Sequence, residues 1–174
     1  MVKAWHDTQR RYMMSRTLCW FSCGAASAVA TKMTLKEIPD AIPVYCETGG
    51  EHEDNLRFIE DCQNWFGKEV IRLKSTEYDD VWDVWEKTRW LAGINGARCT
   101  TELKVVPRLA FQKPTDTHVF GYTADGSDTD RAIRLRENYP ELKIKTPLID
   151  AGLKKDAVLA IVMSAGIKLP EPYL

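Results

Sequence analysis

Apolar and polar positions along the chain switch repeatedly between the spacing of a strand and that of a helix. Thr17 to Ser22 (TLCWFS) is a short β-prone run that closes on the small-residue turn Cys23-Gly-Ala-Ala-Ser27. An Ala-rich stretch from Ala25 to Leu35 predicts a helix that stops before Pro39. Ile42 to Glu47 (IPVYCE) is the next strand, closed by Thr48-Gly-Gly50. From His52 to Phe66, Leu56, Ile59, Cys62 and Phe66 keep a helical period, and Gly67 stands where a helix C-terminus is expected. Glu69 to Lys74 alternates like a strand, Tyr78 to Trp90 returns to helical spacing, and Leu91 to Thr101 is a Gly-containing loop. Glu102 to Gln112 predicts a short helix that starts late or kinks, because Pro107 lies inside it. Thr117 to Thr123 is a further strand, Ser127 to Asn138 a helix, and Lys154 to Ala165 a nearly all-apolar helix ending at Gly166.

Such alternation predicts an α/β fold: a single three-layer domain with a mostly parallel five-stranded sheet, helices on both faces and a Rossmann-like path. Without a linker, repeat or low-complexity break, one domain is expected over 17–174, preceded by an N-terminal arm over 1–16. Parallel sheets of this kind bind ligands outside the carboxyl ends of their strands, near the topological switch point. That directs attention to Ser22–Ser27, Glu47–Gly50, the segment after Lys74, and Gly121–Asp128.

Composition narrows the partners. Among 174 residues, 24 Lys and Arg face 25 Asp and Glu, a net charge of −1, so global charge gives no reason to expect nucleic acid. The longest apolar run, Ala157 to Met163, falls far short of the ~18 residues that span a bilayer, so no membrane partner is expected. The first residues are polar and basic, without the apolar centre of a secretory signal. Five cysteines at 19, 23, 46, 62 and 99 make no disulfide framework. A reducing, cytoplasmic setting is the expectation. Cys19 and Cys23 are the only close pair, which does not suffice for a structural zinc site.

The Ser22-Cys-Gly-Ala-Ala-Ser27 turn carries the first chemical signal. Small side chains let backbone N–H groups approach an anion, the following helix adds its dipole, and the hydroxyls of Ser22 and Ser27 can donate to phosphate oxygens. A tight strand-to-helix turn demands the same small residues for packing alone. Neither the Walker A pattern nor the GxGxxG fingerprint is present.

FSCGAASA followed by VATKM resembles the modified P-loop of the adenine nucleotide alpha hydrolase-like superfamily. More narrowly it resembles the phosphoadenylyl-sulfate (PAPS) reductase family, including its small phage and bacterial members. VYCETGGEHEDNLRFIEDCQNWFG is similar to the family's second strand, acidic-Thr-Gly turn and following helix. GARCTTELKVVPRLAF resembles its Cys…Lys…Pro segment, FGYTADGSDTDRAIRLRENYP the next strand and Arg-containing helix, and PLIDAGLKKDAVLAIVMSAGI the closing helix. Together these cover about residues 17–172. The resemblance implies the adenine nucleotide alpha hydrolase-like fold and a small-molecule nucleotide (ATP, AMP or PAPS) as substrate. Its phosphates would lie at Ser22, Cys23, Gly24, Ala25, Ala26 and Ser27, bordered by Glu47, Thr48 and Gly49 and by Gly121 and Tyr122. Arg98, Lys104, Arg131 and Arg134 are the matching basic residues, with Lys104 and Arg131 in catalytic roles. For Lys104 an ordinary helix-start lysine, and for Arg131 and Arg134 a solvated helix face shared with Asp128 and Asp130, fit the pattern too.

Two departures from the family shape the expected activity. Ala26 stands where ATP-splitting members carry an acidic residue, which sulfonucleotide reductases also lack. Those reductases use a cysteine in a C-terminal segment, whereas no cysteine follows Cys99 here. Cys99, beside Arg98, has a cation that would favour its thiolate, and it is the third catalytic candidate beside a purely structural reading. An iron–sulfur cluster would need partners among Cys19, Cys23, Cys46 and Cys62; the first and last read as core residues, and no cluster is expected. Asp125 and Asp128 suit Mg²⁺ or ribose contacts, or simply cap the next helix. His118 reads as a core side chain, and His52 as a helix-start residue or a metal contact. Trp82, Trp85 and Trp90 crowd one segment, with core packing the favoured account and a dimer face or an adenine-stacking wall as alternatives.

The expected activity is therefore on an adenine nucleotide, at the α-phosphate (pyrophosphatase or adenylyl transfer), with Mg²⁺ accompanying ATP and an acceptor as second substrate. Thiol-dependent reduction of PAPS or APS with a thiol donor is the second reading, and a nucleotide binder or sensor without chemistry the third. The apolar run near the C-terminus and the tryptophan-rich helix allow a homo-oligomer without requiring one.

Overall fold

The computed structural model describes residues 15–93 and 96–171. Most of the expected N-terminal arm, with His6, lies outside the described residues, as do Ile94, Asn95 and the last three residues. Strands β1 (Thr17–Trp20), β2 (Ile42–Cys46), β3 (Ile71–Leu73), β6 (Thr117–Phe120) and β7 (Lys143–Lys145) form one sheet in the order β3-β2-β1-β6-β7. Every pairing in it is parallel. The expectation of a mostly parallel five-stranded sheet is thus met by an all-parallel one. Two short strands, β4 (Ala92–Gly93) and β5 (Gly96–Ala97), pair antiparallel inside the segment read as a loop.

Register decides which side chains meet. Leu18 lies beside Ile42 and His118, and Cys19 beside Pro43 and Val119. Consecutive residues of β1 point to opposite faces, and Leu18 and Cys19 are both fully buried. This is the signature of a strand covered on both sides. On one face, Cys19, Phe21, Tyr45 and Val119 pack with α1 (Ala25–Glu37), α2 (Asp54–Phe66) and α7 (Lys155–Ser164).

The residue choices in these helices follow from that packing. In α1, Ala25, Ala28 and Ala30 are buried because the helix is pressed between the sheet, α2 and α7. Its buried Thr31 and Thr34 donate to the carbonyls of Ser27 and Ala30, which leaves no orphan hydroxyl. In α2, Phe58, Ile59, Cys62 and Phe66 form the buried stripe, and Gly67 ends the helix at φ 68° with its N–H on the Gln63 carbonyl. Cys19 and Cys62 are core residues, as their pattern suggests.

The opposite face is covered partly by an irregular helix, α4, spanning 98–111. Its turns are Arg98–Thr100, a π-helical Thr101–Val105, and Val106–Phe111. Pro107 accounts for the irregularity: it donates no N–H, and its ring would collide with the carbonyl four residues back, so the preceding turn widens. The helix therefore begins earlier than the expected Glu102 and absorbs the proline without breaking. Leu103 is buried at its centre. The remaining helices are α3 (Val81–Thr88), α5 (Gly126–Asn138) and α6 (Pro147–Asp150).

The tryptophans depart from the favoured core reading. Val84 is the buried residue of α3, while Trp82 is 70% exposed and Trp90 55% exposed. Trp82 packs edge-on against Trp85, with ring centres 5.0 Å apart. The helix turns one narrow face inward, and Val84 fills it.

Candidate functional site

The strand order places the switch point at β1. The chain runs β1, β2, β3 to one side and returns to β6 on the other. Outside the carboxyl ends of β1, β2 and β6 lies a cleft of about 640 Å³, within the size range of small-molecule sites. Ser22, Ala26, Ser27, Lys104, Gly121, Tyr122, Asp128 and Arg131 all line it.

The β1–α1 turn is held by a hydroxyl. Ser27 Oγ accepts from the Ser22 N–H at 3.0 Å, the Ser22 hydroxyl at 3.2 Å and the Gly24 N–H at 3.4 Å. It donates to the Gly24 carbonyl at 2.9 Å. Cys23 takes φ 59°, a left-handed backbone uncommon for a side-chain-bearing residue, and so turns the chain without a glycine. Cys23 and Ala25 form the buried underside of the turn with Gly24 between them. The Cys23 thiol donates to the Asn55 carbonyl at 3.3 Å, and burial pushes it up to about 12, so it stays protonated near neutral pH. Gly121, at the end of β6, lies directly against this turn.

The rest of the cleft wall is aromatic and basic. Trp20, Tyr45, Phe120 and Tyr122 line the cleft, and the Phe120 and Tyr122 rings stack 5.9 Å apart. Trp20 Nε1 donates to His118 Nδ1 at 3.1 Å, the two rings stacking 6.0 Å apart. His118 is fully buried, and its Nε2 has no partner; desolvation pushes its pKa down. Arg131 lies over the Tyr122 ring at 5.2 Å and pairs with Asp128 at 2.9 Å. Among the described residues Lys104 enters no ion pair.

The remaining candidates fall elsewhere. Glu47 and Gly49 border an adjoining groove of about 350 Å³ that shares Tyr45, Glu51 and Asn55 with the cleft. Glu47 pairs there with Lys74 at 3.0 Å and Arg72 at 3.4 Å. Thr48 donates through its N–H and hydroxyl to Glu51 at 2.6 and 2.7 Å. Desolvation pushes the Glu51 carboxyl up, but these donors and the Tyr45 hydroxyl together hold it below its ordinary value. Arg98 pairs with Glu102 on its own helix at 2.7 Å, Arg134 is exposed on α5, and neither lines the cleft. Cys99 is half-buried and also outside the lining; the thiol that does line it is Cys46, raised by burial against the pull of Lys104 and Arg108.

Asp125 and Asp128 act as acceptors for the turn that starts α5. Asp125 takes the Thr123 hydroxyl at 2.8 Å and the Lys155 N–H at 3.0 Å; Asp128 takes the Thr123 N–H at 3.1 Å and hydroxyl at 3.0 Å. Arg131 also donates to Asp128, at 2.9 Å. Among the described residues no group of three or more His, Cys, Asp or Glu side chains is placed to hold a metal.

Several cleft residues have no counterpart among the sequence candidates, Tyr45 and Arg108 among them. Tyr45 lies in β2, where alternation alone does not tell a site residue from a core one. Arg108 follows Lys104 by four positions, the spacing that puts two side chains on one helix face, and this was its available signal. Its guanidinium lies 5.3 Å over the Tyr139 ring, and its Nε and Nη2 are buried with no acceptor among the described residues.

Comparisons with known proteins bear on the fold. No protein-family model matches the chain, and no curated protein matches it in sequence. Among solved structures, the chain is similar to a phosphoadenylyl-sulfate (PAPS) reductase from Candida auris, described as a phosphate complex. The TM-score is 0.67 at 10% identity, covering 92% of this chain and 77% of that one. No described helix is long and apolar enough to cross a membrane. The chain has the three-layer, Rossmann-like fold of PAPS reductase.

Proposed function

We propose that the cleft binds an adenine nucleotide and that the protein acts at its α-phosphate. One observation carries this reading: at the switch point, the amino end of the 13-residue α1 lines the same cavity as Lys104, which has no ion pair among the described residues. Backbone N–H groups at the start of a helix and a free ammonium are the complement of a phosphate chain. The flat rings of Trp20, Phe120 and Tyr122 offer a surface for a base. In the reaction, water or an acceptor nucleophile forms a bond to the α-phosphorus while the bond to the pyrophosphate oxygen breaks. AMP or an adenylylated acceptor is released with pyrophosphate. Ser22 and Lys104 would stabilise the added charge, and positioning would supply the rest of the acceleration. Mg²⁺ would enter as the counter-ion of ATP, and no step is assigned to it.

The likeness to a PAPS reductase favours a second reading, reduction of a sulfonucleotide. That reaction takes two electrons from thiols, releasing sulfite and the bisphosphonucleotide. Burial keeps the cleft-lining Cys46 protonated, so a separate thiol donor would supply the attacking sulfur. ³¹P NMR of the protein with ATP and Mg²⁺, and sulfite assay with PAPS and dithiothreitol, separate the readings. AMP appearing with pyrophosphate supports the first, and sulfite the second. Binding with neither product leaves a nucleotide sensor.

A further inference from the structure

We infer that Arg108 is the anion anchor of the cleft, holding a tetrahedral dianion together with Lys104. The dianion is the phosphomonoester end of a nucleotide or free phosphate or sulfate. The nucleotide form of this inference rests on the function proposed above; the anion site itself does not.

Arg89, Arg134 and Arg136 are exposed to water, and five other described arginines meet carboxylates. Arg16 pairs with Asp116, Arg57 with Asp54 and Asp61, Arg72 with Glu47, Arg98 with Glu102, and Arg131 with Asp128. Arg108 is half-buried and has no carboxylate partner among the described residues. A guanidinium stays charged at any ordinary pH, and taking it out of water unpaired is unfavourable. The Tyr139 ring meets one face of the group, which leaves its in-plane N–H groups unused. Nε and Nη2 are enclosed with no acceptor among the described residues. Uncompensated positive charge therefore sits in the cleft wall, and an entering anion relieves it.

The charge count sets the ligand. Lys104, four residues earlier on the same helix, lines the same cleft without an ion pair. Arg131 adds little net charge, because Asp128 neutralises it. The cleft's remaining carboxylate, Glu51, is held by Thr48 and Tyr45 where the cleft meets the adjoining groove. Lys104 and Arg108, one turn apart and without carboxylate partners among the described residues, match a dianion. Arg gives fixed planar geometry and Lys a mobile point charge.

The test is calorimetric titration of wild type, R108M and R108K with sulfate, AMP and adenosine at fixed ionic strength. Wild type is expected to bind sulfate and to prefer AMP to adenosine. R108M should weaken both anions roughly tenfold or more, an amount readable as a change in Kd, while its adenosine affinity stays unchanged. R108K should recover part of the loss. Unfolding of each variant is followed in parallel, and R108Q replaces R108M if the methionine form does not fold. Sulfate and AMP binding that is indifferent to position 108 overturns the inference. If wild type binds adenosine and AMP equally and ignores sulfate, the inference fails while nucleotide binding stands. If sulfate binds in an Arg108-dependent way but neither nucleoside ligand adds to it, the anchor stands and the nucleotide function fails.

Discussion

The backbone of Ser27 fills the space that a side chain at Gly121 would need. A Cβ on Gly121 would lie 2.5 Å from Ser27 Cα and 2.6 Å from its N, so the end of β6 and the first turn of α1 touch backbone to backbone. This contact closes one side of the cleft, and neither partner is the end of a flexible side chain that could swing away. Gly121→Ala is expected to cost about 1–3 kcal/mol of stability, as overpacking typically does, and to distort the turn. Urea denaturation and nucleotide titration of the variant check both effects; unchanged values would mean the turn is softer than this contact implies.

Ser27 carries the turn's internal hydrogen bonds. Ser27→Ala removes the shared acceptor of the Ser22 and Gly24 N–H groups, while the Gly24 carbonyl keeps the Ala28 N–H. The expected loss is about 1–3 kcal/mol, from polar groups left without partners. Ser27→Leu adds bulk inside the cleft and should abolish nucleotide binding; retained affinity would place the phosphates elsewhere.

Arg16 and Asp116 form a pair whose carboxyl side chain is fully enclosed. Desolvation pushes the Asp116 carboxyl up, but the Arg16 guanidinium and the Lys113 N–H together hold it below the ordinary value of about 3.9. Its contribution to stability is therefore present above pH ~4 and is lost as pH falls through the folded-state value. Asp116→Asn leaves a guanidinium without its counter-charge and should cost about 3–5 kcal/mol at pH 7. Denaturant midpoints at pH 7 and pH 3 should differ less in the variant than in wild type.

Thiol chemistry should follow burial. Cys19, Cys23 and Cys62 are buried, and desolvation raises all three, Cys19 and Cys23 to about 12. Brief iodoacetamide treatment at pH 8, read by mass spectrometry, is expected to modify Cys99 and spare these three. Because Cys99 is outside the cleft lining, Cys99→Ser should leave nucleotide affinity within about twofold, well below the effect of one lost charged hydrogen bond. Loss of sulfite release in this variant, with binding kept, would assign Cys99 to thiol chemistry.

The central strands and first two helices were legible because their burial is coded locally. The β-prone run around Leu18 and Cys19, the stripe of Ile59, Cys62 and Phe66, and the stop at Gly67 all reappear in the structure. The edge strand Lys143–Lys145 carries one apolar residue between two lysines, too little pattern to single it out. The widened turn of α4 depends on how the chain relieves Pro107, which periodicity does not record. In the cleft, the loop from Ser22 to Ser27 was visible as small residues at a strand end. Arg108 was not, because its meaning lies in the missing acceptors and in Tyr139, which is 31 positions away in the chain. Arg98 and Arg134 looked equally suitable by type and proved to face other surroundings.

The most direct test of the account is isothermal titration of the purified protein with AMP, ATP and PAPS, repeated with Lys104→Met. Saturable binding of at least one of these nucleotides at one site per chain is predicted, weakened roughly tenfold or more by the substitution, with the fold of the variant intact by circular dichroism. No binding of any of the three, or an affinity that ignores Lys104, would contradict it.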